Sequence, residues 1–146
     1  MQAAPEILAP VRVLLVDDDP RLARVVSTYL QLEGYQVETA ADAFEGLQLL
    51  SSDPFDIAFF DVMMPGMDGI EACRRLRSDP ATAAVPVVIF TALSSDRECE
   101  RARLAGASHL ITKPFGLSGL GSIVESLTGP ARGGLVPPRL RTVPAG

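Results

Sequence analysis

Five short apolar runs punctuate the chain, and between them apolar residues recur at helical spacing. Residues 11–16 (VRVLLV) form the first run, followed by Asp17, Asp18, Asp19 and Pro20. Asp19 before Pro20 reads as a helix N-cap with proline at the first helical position. Leu22, Val25, Val26, Tyr29 and Leu30 then supply a stripe that Gly34 ends. Residues 35–40 predict a second strand, with Tyr35, Val37 and Thr39 on one face. Asp42 and Glu45 predict a capping box opening a second helix, whose stripe is Phe44, Leu47 and Leu50. Ile57, Ala58, Phe59 and Phe60 lack alternation, as expected of a strand buried on both faces, and Asp61 ends it. A turn of Met63, Met64, Pro65 and Gly66 leads to Asp68 and Glu71, a second capping box. The third helix presents Ile70, Cys73 and Leu76 inward and Arg74, Arg75 and Arg77 to water. Residues 85–90 (VPVVIF) are the fourth strand and deliver Thr91. Ser95 and Glu98 cap a charged fourth helix that Gly106 ends. Residues 109–112 (HLIT) are the fifth strand, followed by Lys113 and Pro114. Leu117, Leu120, Ile123, Val124 and Leu127 give the last helix its stripe, in which Gly119 and Gly121 each cost about 1 kcal/mol relative to alanine.

Strand and helix thus alternate five times, which predicts an α/β fold with a parallel sheet covered on both faces. For five strands the flavodoxin-like doubly wound (βα)5 order 2-1-3-4-5 is the natural choice, with its crevice between the carboxyl ends of strands 1 and 3. The predicted folded unit is 11–128. Residues 1–10, rich in alanine and proline, are expected to be a flexible N-terminus, and 129–146 a Pro/Gly-rich disordered tail or linker.

Composition narrows the function. Hydrophobic residues make up 47% of 146, too many for a disordered chain. There is no apolar run of membrane-spanning length and no signal-peptide pattern at the start, so no membrane role and a cytoplasmic location are expected. Cys73 and Cys99 lack metal-type spacing and read as reduced thiols. Net charge is −5. Arg132, Arg139 and Arg141 lie in the tail with no acidic residue, so the body is more acidic than the whole. That argues against direct nucleic-acid binding.

Four of the five strands end in a reactive polar group: Asp17 and Asp18, Asp61, Thr91 and Lys113. In the predicted order these converge on one rim of the sheet. Two carboxylates roughly 5 Å apart repel by roughly 3 kcal/mol at an effective dielectric of about 20. Three must therefore hold a proton or recruit a cation, and a hard, oxygen-seeking ion such as Mg²⁺ suits them. A metal beside a lysine and a hydroxyl suits a phosphoryl group. Asp61, at the end of a rigid strand, is the best candidate for a carboxylate nucleophile that would become an aspartyl phosphate.

With VDDDP, FFDVMMPGMDG, VIFTA and GASHLITKPF in this order, the chain resembles the receiver domain of bacterial response regulators over about residues 11–128. The resemblance implies that Asp17 and Asp18 are the acidic metal pair, Asp61 the phosphoacceptor, Thr91 the switch hydroxyl and Lys113 the phosphate-binding lysine. It also implies a metal-ligating backbone carbonyl at Met63 and a cis Lys113–Pro114 bond. The donor would be a sensor histidine kinase or phosphotransfer protein, and the output an unknown downstream protein. The protein would be a switch and not an enzyme, beyond self-catalysed phosphorylation and dephosphorylation. Met63 and Leu93, two residues after Asp61 and Thr91, would flank the approach of hydrolytic water.

Two positions depart from the family. Leu110 stands where receivers usually carry an aromatic residue, three before the lysine, and His109 does not replace it by register. The last helix carries Glu125 as its one charge, so charge-stitched dimers through helices 4 and 5 are not supported and at most a weak homodimer is expected. Two rival readings remain at this point. One is a receiver-shaped interaction module that is never phosphorylated. The other is a haloacid-dehalogenase-type phosphatase using Asp17 as nucleophile, which leaves Asp61 without a role.

Overall fold

In the computed structural model, residues 10–92, 95–113 and 116–128 are described. The elements run β1 (Arg12–Val16), α1 (Pro20–Leu32), β2 (Gln36–Ala40), α2 (Ala43–Ser52), β3 (Ile57–Asp61), α3 (Gly69–Ser78), β4 (Val87–Thr91), α4 (Asp96–Ala105), β5 (His109–Thr112) and α5 (Leu117–Thr128). The strands form one parallel sheet in the order β2-β1-β3-β4-β5. The fold is the flavodoxin-like doubly wound one expected from the alternation. The calls on residues 1–9, on the tail from 129 to 146, on Leu93 and on the Lys113–Pro114 peptide bond lie outside the described residues.

β3 and β4 are buried at every position, because neighbouring strands flank them and helices cover both faces. Alternation divides their side chains. Ile57, Phe59, Val88 and Phe90 join Val26, Leu30, Leu120 and Val124 of α1 and α5. Ala58, Phe60, Val87 and Ile89 face Leu50, Ile70, Leu76 and Ala102 of α2, α3 and α4. Phe59 and Phe90 meet across adjacent strands with ring centroids 5.4 Å apart. Gly121 has a packing reason: a Cβ there would meet the Tyr29 hydroxyl at 3.3 Å, so its absence lets α5 approach α1. Gly119 has no such neighbour.

Several helix faces differ from the sequence expectation. Val25 is 51% exposed and Phe44 55%; the buried stripe of α1 runs through Ala23, Val26 and Leu30, and that of α2 through Ala43, Gly46 and Leu50. In α2 a glycine holds the centre of the stripe because the helix lies close to the sheet. A Cβ on Gly46 would come within 2.6 Å of a Val16 methyl. Arg77 is half-buried instead of being turned fully to water. Its guanidinium donates to the carbonyls of Ala83 (3.0 Å), Val85 (2.5 Å) and Gly106 (3.0 Å), tying α3 to the loop before β4 and to the end of α4. The fourth strand begins at Val87 and not at Val85, since Pro86 has no N–H to give the ladder.

Candidate functional site

Register brings the strand-end groups together. Val16 pairs with Phe60, so Asp17 and Asp61 follow side by side. Phe90 pairs with Asp61, and Thr91 with Thr112; the Lys113 N–H donates to the Thr91 carbonyl at 2.7 Å. Each local sequence supports this placement. Asp17 is fixed by the Asp19 N–H, which donates to its Oδ1 at 2.8 Å, while the Asp19 side chain caps α1 by accepting from the Arg21 and Leu22 N–H groups. After Asp61 the chain turns through Gly66 in the left-handed region (φ 88°), and Asp68 caps α3 by accepting from the Glu71 N–H at 2.8 Å. Gly69 then passes so close to β3 that a Cβ would sit 2.9 Å from the Asp61 carbonyl carbon and 3.1 Å from the Phe60 Cβ.

One carboxylate oxygen from each of Asp17, Asp18 and Asp61 lies within 4.8 Å of the other two. Asp17 and Asp61 are buried and Asp18 is exposed. Lys113 Nζ stands 3.1 Å from Asp61 Oδ1 and 3.6 Å from Asp17 Oδ2. Burial pushes the Asp61 carboxyl above its ordinary pKa; the hydrogen bond and charge of Lys113 pull it back, Asp18 pushes it up, and the Met63 N–H pulls it down. Asp17 is also raised, first by burial and then by the charge of Asp61, against the opposing pull of the Asp19 N–H. One lysine is thus too little to compensate the cluster. Asp17 Oδ2 is buried and accepts no hydrogen bond from the described residues. An all-oxygen donor set with a buried anionic oxygen that lacks a hydrogen bond fits a hard divalent cation such as Mg²⁺.

Thr91 is 1% exposed and its hydroxyl donates to the Glu98 carboxylate in the first turn of α4. Ser95 caps that helix by accepting from the Glu98 N–H at 3.1 Å, but Glu98 does not complete a capping box, because its side chain is spent on Thr91. Glu71 likewise turns from the box to Arg74 and Arg75. Met63 is 71% exposed and lines a cleft of about 390 Å³ with Met64, Pro65, Asp68, Glu98 and Arg101. Leu110 is half-buried and packs against the core on the α3–α4 side, and His109 is exposed. Sequence reasoning placed Asp17, Asp18, Asp61, Thr91 and Lys113 on one rim, where they are found. It missed Glu98 as the partner of Thr91 and Gly69 as the point of closest approach.

A doubly wound fold with an acidic cluster and a lysine at its switch point is that of a signalling switch module. The chain belongs to the response regulator receiver domain family, whose sequence profile matches residues 13–125. It is 42% identical over 117 residues to the response regulator PleD of Caulobacter vibrioides, which covers 80% of this chain and 26% of that protein. Among solved structures, the chemotaxis protein CheY4 of Vibrio cholerae superposes with a TM-score of 0.78 at 33% identity, covering 82% of this chain and 99% of that one. The receiver domain of the sensor histidine kinase PA1611 of Pseudomonas aeruginosa gives 0.77 at 28% identity, covering 83% and 99%, and holds a magnesium ion in its active-site cleft. The chain spans 26% of the length of PleD and 48% of another curated relative. Receiver domains are switch modules and not enzymes, which sets aside the phosphatase reading. Here Asp19, two residues past the nucleophile of that reading, is committed to capping α1. No helix among the described residues is long and apolar enough to cross a membrane.

Proposed function

We propose that Asp61 accepts a phosphoryl group from a phosphohistidine of a sensor kinase or phosphotransfer protein, and that the phosphoryl switches a protein-binding surface. The observation that carries this reading is the Lys113 ammonium 3.1 Å from an Asp61 oxygen inside a cluster of three carboxylates. An Asp61 oxygen attacks phosphorus as the donor's P–N bond breaks, and the phosphoryl remains on Asp61 as an acyl phosphate. Lys113 keeps its charge beside the added oxygens, and the Thr91 hydroxyl donates to one of them. Asp17, Asp18, Asp61 and the Met63 carbonyl would hold Mg²⁺, which would neutralise charge on the transferring group. Leu110 leaves the usual aromatic position without a ring to reorient, so the output rests on Thr91 and the segment that follows it. The acidic body favours a protein partner for the output and not nucleic acid.

Acetyl phosphate and Mg²⁺ test this directly. Intact-mass measurement should show one phosphoryl group on the wild type and none on Asp61→Asn. Equal labelling of both would end the proposal.

A further inference from the structure

Thr91 has a single hydroxyl proton, and in this structure it goes to Glu98. A phosphoryl oxygen on Asp61 would need that same proton. The two acceptors are therefore exclusive, and whatever holds Thr91 on Glu98 opposes the phosphorylated state. We infer that Glu98 is a latch: its carboxylate holds the Thr91 hydroxyl in the unphosphorylated state and is released when Thr91 turns to the phosphoryl group. The inference rests on the phosphoacceptor reading of Asp61.

The construction of α4 turns this exchange into movement of one end of the helix. Its buried residues are Ala102 and Ala105, both toward the C-terminus. That end is also pinned by polar contacts. The Cys73 thiol donates to the Ala105 carbonyl at 3.4 Å and Arg77 to the Gly106 carbonyl at 3.0 Å. From Asp96 to Arg101 no residue is buried. Among the described residues, the side chains that tie this half to the rest of the domain are Glu98, on Thr91, and Arg101, on Asp68 at 3.4 Å. A half-helix with no buried side chain, tied down through polar contacts, is the low-stability end of the element. Releasing Glu98 frees the N-terminal half while the C-terminal half stays docked. Phosphorylation is thereby read at the start of α4, and Leu110 on β5 needs no rearrangement.

The latch has a measurable cost for activation. A ligand that binds only the released state binds more weakly by the fraction of protein already released. Binding of beryllofluoride with Mg²⁺, measured by calorimetry on the full chain, reads that fraction. Glu98→Ala should tighten binding by roughly tenfold or more, the worth of a hydrogen bond to a charged group. Glu98→Gln keeps a neutral acceptor and should fall between. In a Thr91→Ala background, Glu98→Ala should have little effect, because the group being held is gone. Unchanged or weaker binding by Glu98→Ala overturns the latch. So does a gain that persists without Thr91, which would mean simple removal of a negative charge. If the wild type neither binds beryllofluoride nor takes phosphoryl from acetyl phosphate, the phosphoacceptor reading fails, and the latch with it.

Discussion

Lys113 Nζ stands 3.1 Å from Oδ1 of Asp61. The lysine side chain is 25% exposed and the carboxylate 6%, so water screens the pair on one side only. Removing the cation would leave two buried carboxylates without the ammonium that both of them face. Lys113→Ala is expected to lower stability at neutral pH by about 1.5 kcal/mol, the low end for a charge-assisted contact because the lysine is partly wet. It should also slow phosphoryl uptake. Denaturant unfolding with chelator present checks the first point, and intact mass against time the second.

Stability should depend on pH with a definite sign. Asp17 and Asp61 both have folded pKa values above the ordinary 3.8. Between the unfolded and folded values the native state binds more protons, so without metal it loses stability as pH rises through that window. Asp17→Asn removes one of the two penalties and keeps an acceptor for the Asp19 N–H. The variant is expected to melt higher than wild type at neutral pH in chelator, and the advantage should vanish below the unfolded carboxylate pKa. Mg²⁺ should stabilise the wild type more than the variant. Thermal melts across pH, with and without Mg²⁺, measure all three.

Gly69 is a site requirement. Its missing Cβ lets α3 start against the end of β3, where the added atom would overlap the Asp61 backbone. The nearest neighbours are the Asp61 carbonyl and Phe60 Cβ, neither of which can swing aside. Gly69→Ala should cost about 1–3 kcal/mol by overpacking. The strain falls on Asp61, the proposed nucleophile, so phosphoryl uptake should drop even where the variant is fully folded.

The phosphoryl group is expected to be long-lived. Hydrolysis needs a water in line with the bond to Asp61. Met63 and Leu93, the residues in sequence that would flank that approach, cannot accept a hydrogen bond strongly enough to orient it. The double change Met63→Asn with Leu93→Glu is expected to speed decay several-fold or more. Loss of label from the phosphoprotein over time is the readout, and an unchanged rate would remove this assignment.

The central site was legible in the sequence because each of its groups directly follows an apolar strand. Parallel register then carries Asp17, Asp61, Thr91 and Lys113 to one rim. What was not legible depended on distance in sequence or on small differences in helix rotation. Glu98 sits three residues after Ser95 and reads as half of a capping box, yet its side chain reaches back seven residues to Thr91. Arg77 beside Arg74 and Arg75 reads as one of three solvated arginines. Its acceptor at Gly106 lies 29 residues away, and no local pattern marks it. Phe44 and Val25 fit a helical stripe by spacing, but Ala23 and Val26 of α1 and Ala43 and Gly46 of α2 are the ones turned to the sheet, and at Gly46 close approach leaves no room for a side chain.

The identity of the phosphoacceptor decides the account. Borohydride reduces an acyl phosphate to the alcohol, so protein treated with acetyl phosphate and Mg²⁺ and then reduced carries homoserine wherever the phosphoryl sat. Peptide mapping by mass spectrometry should place that single change at Asp61, and chelator should abolish it. Homoserine at position 17, or no conversion in protein that is folded and loaded with Mg²⁺, would contradict the central claim.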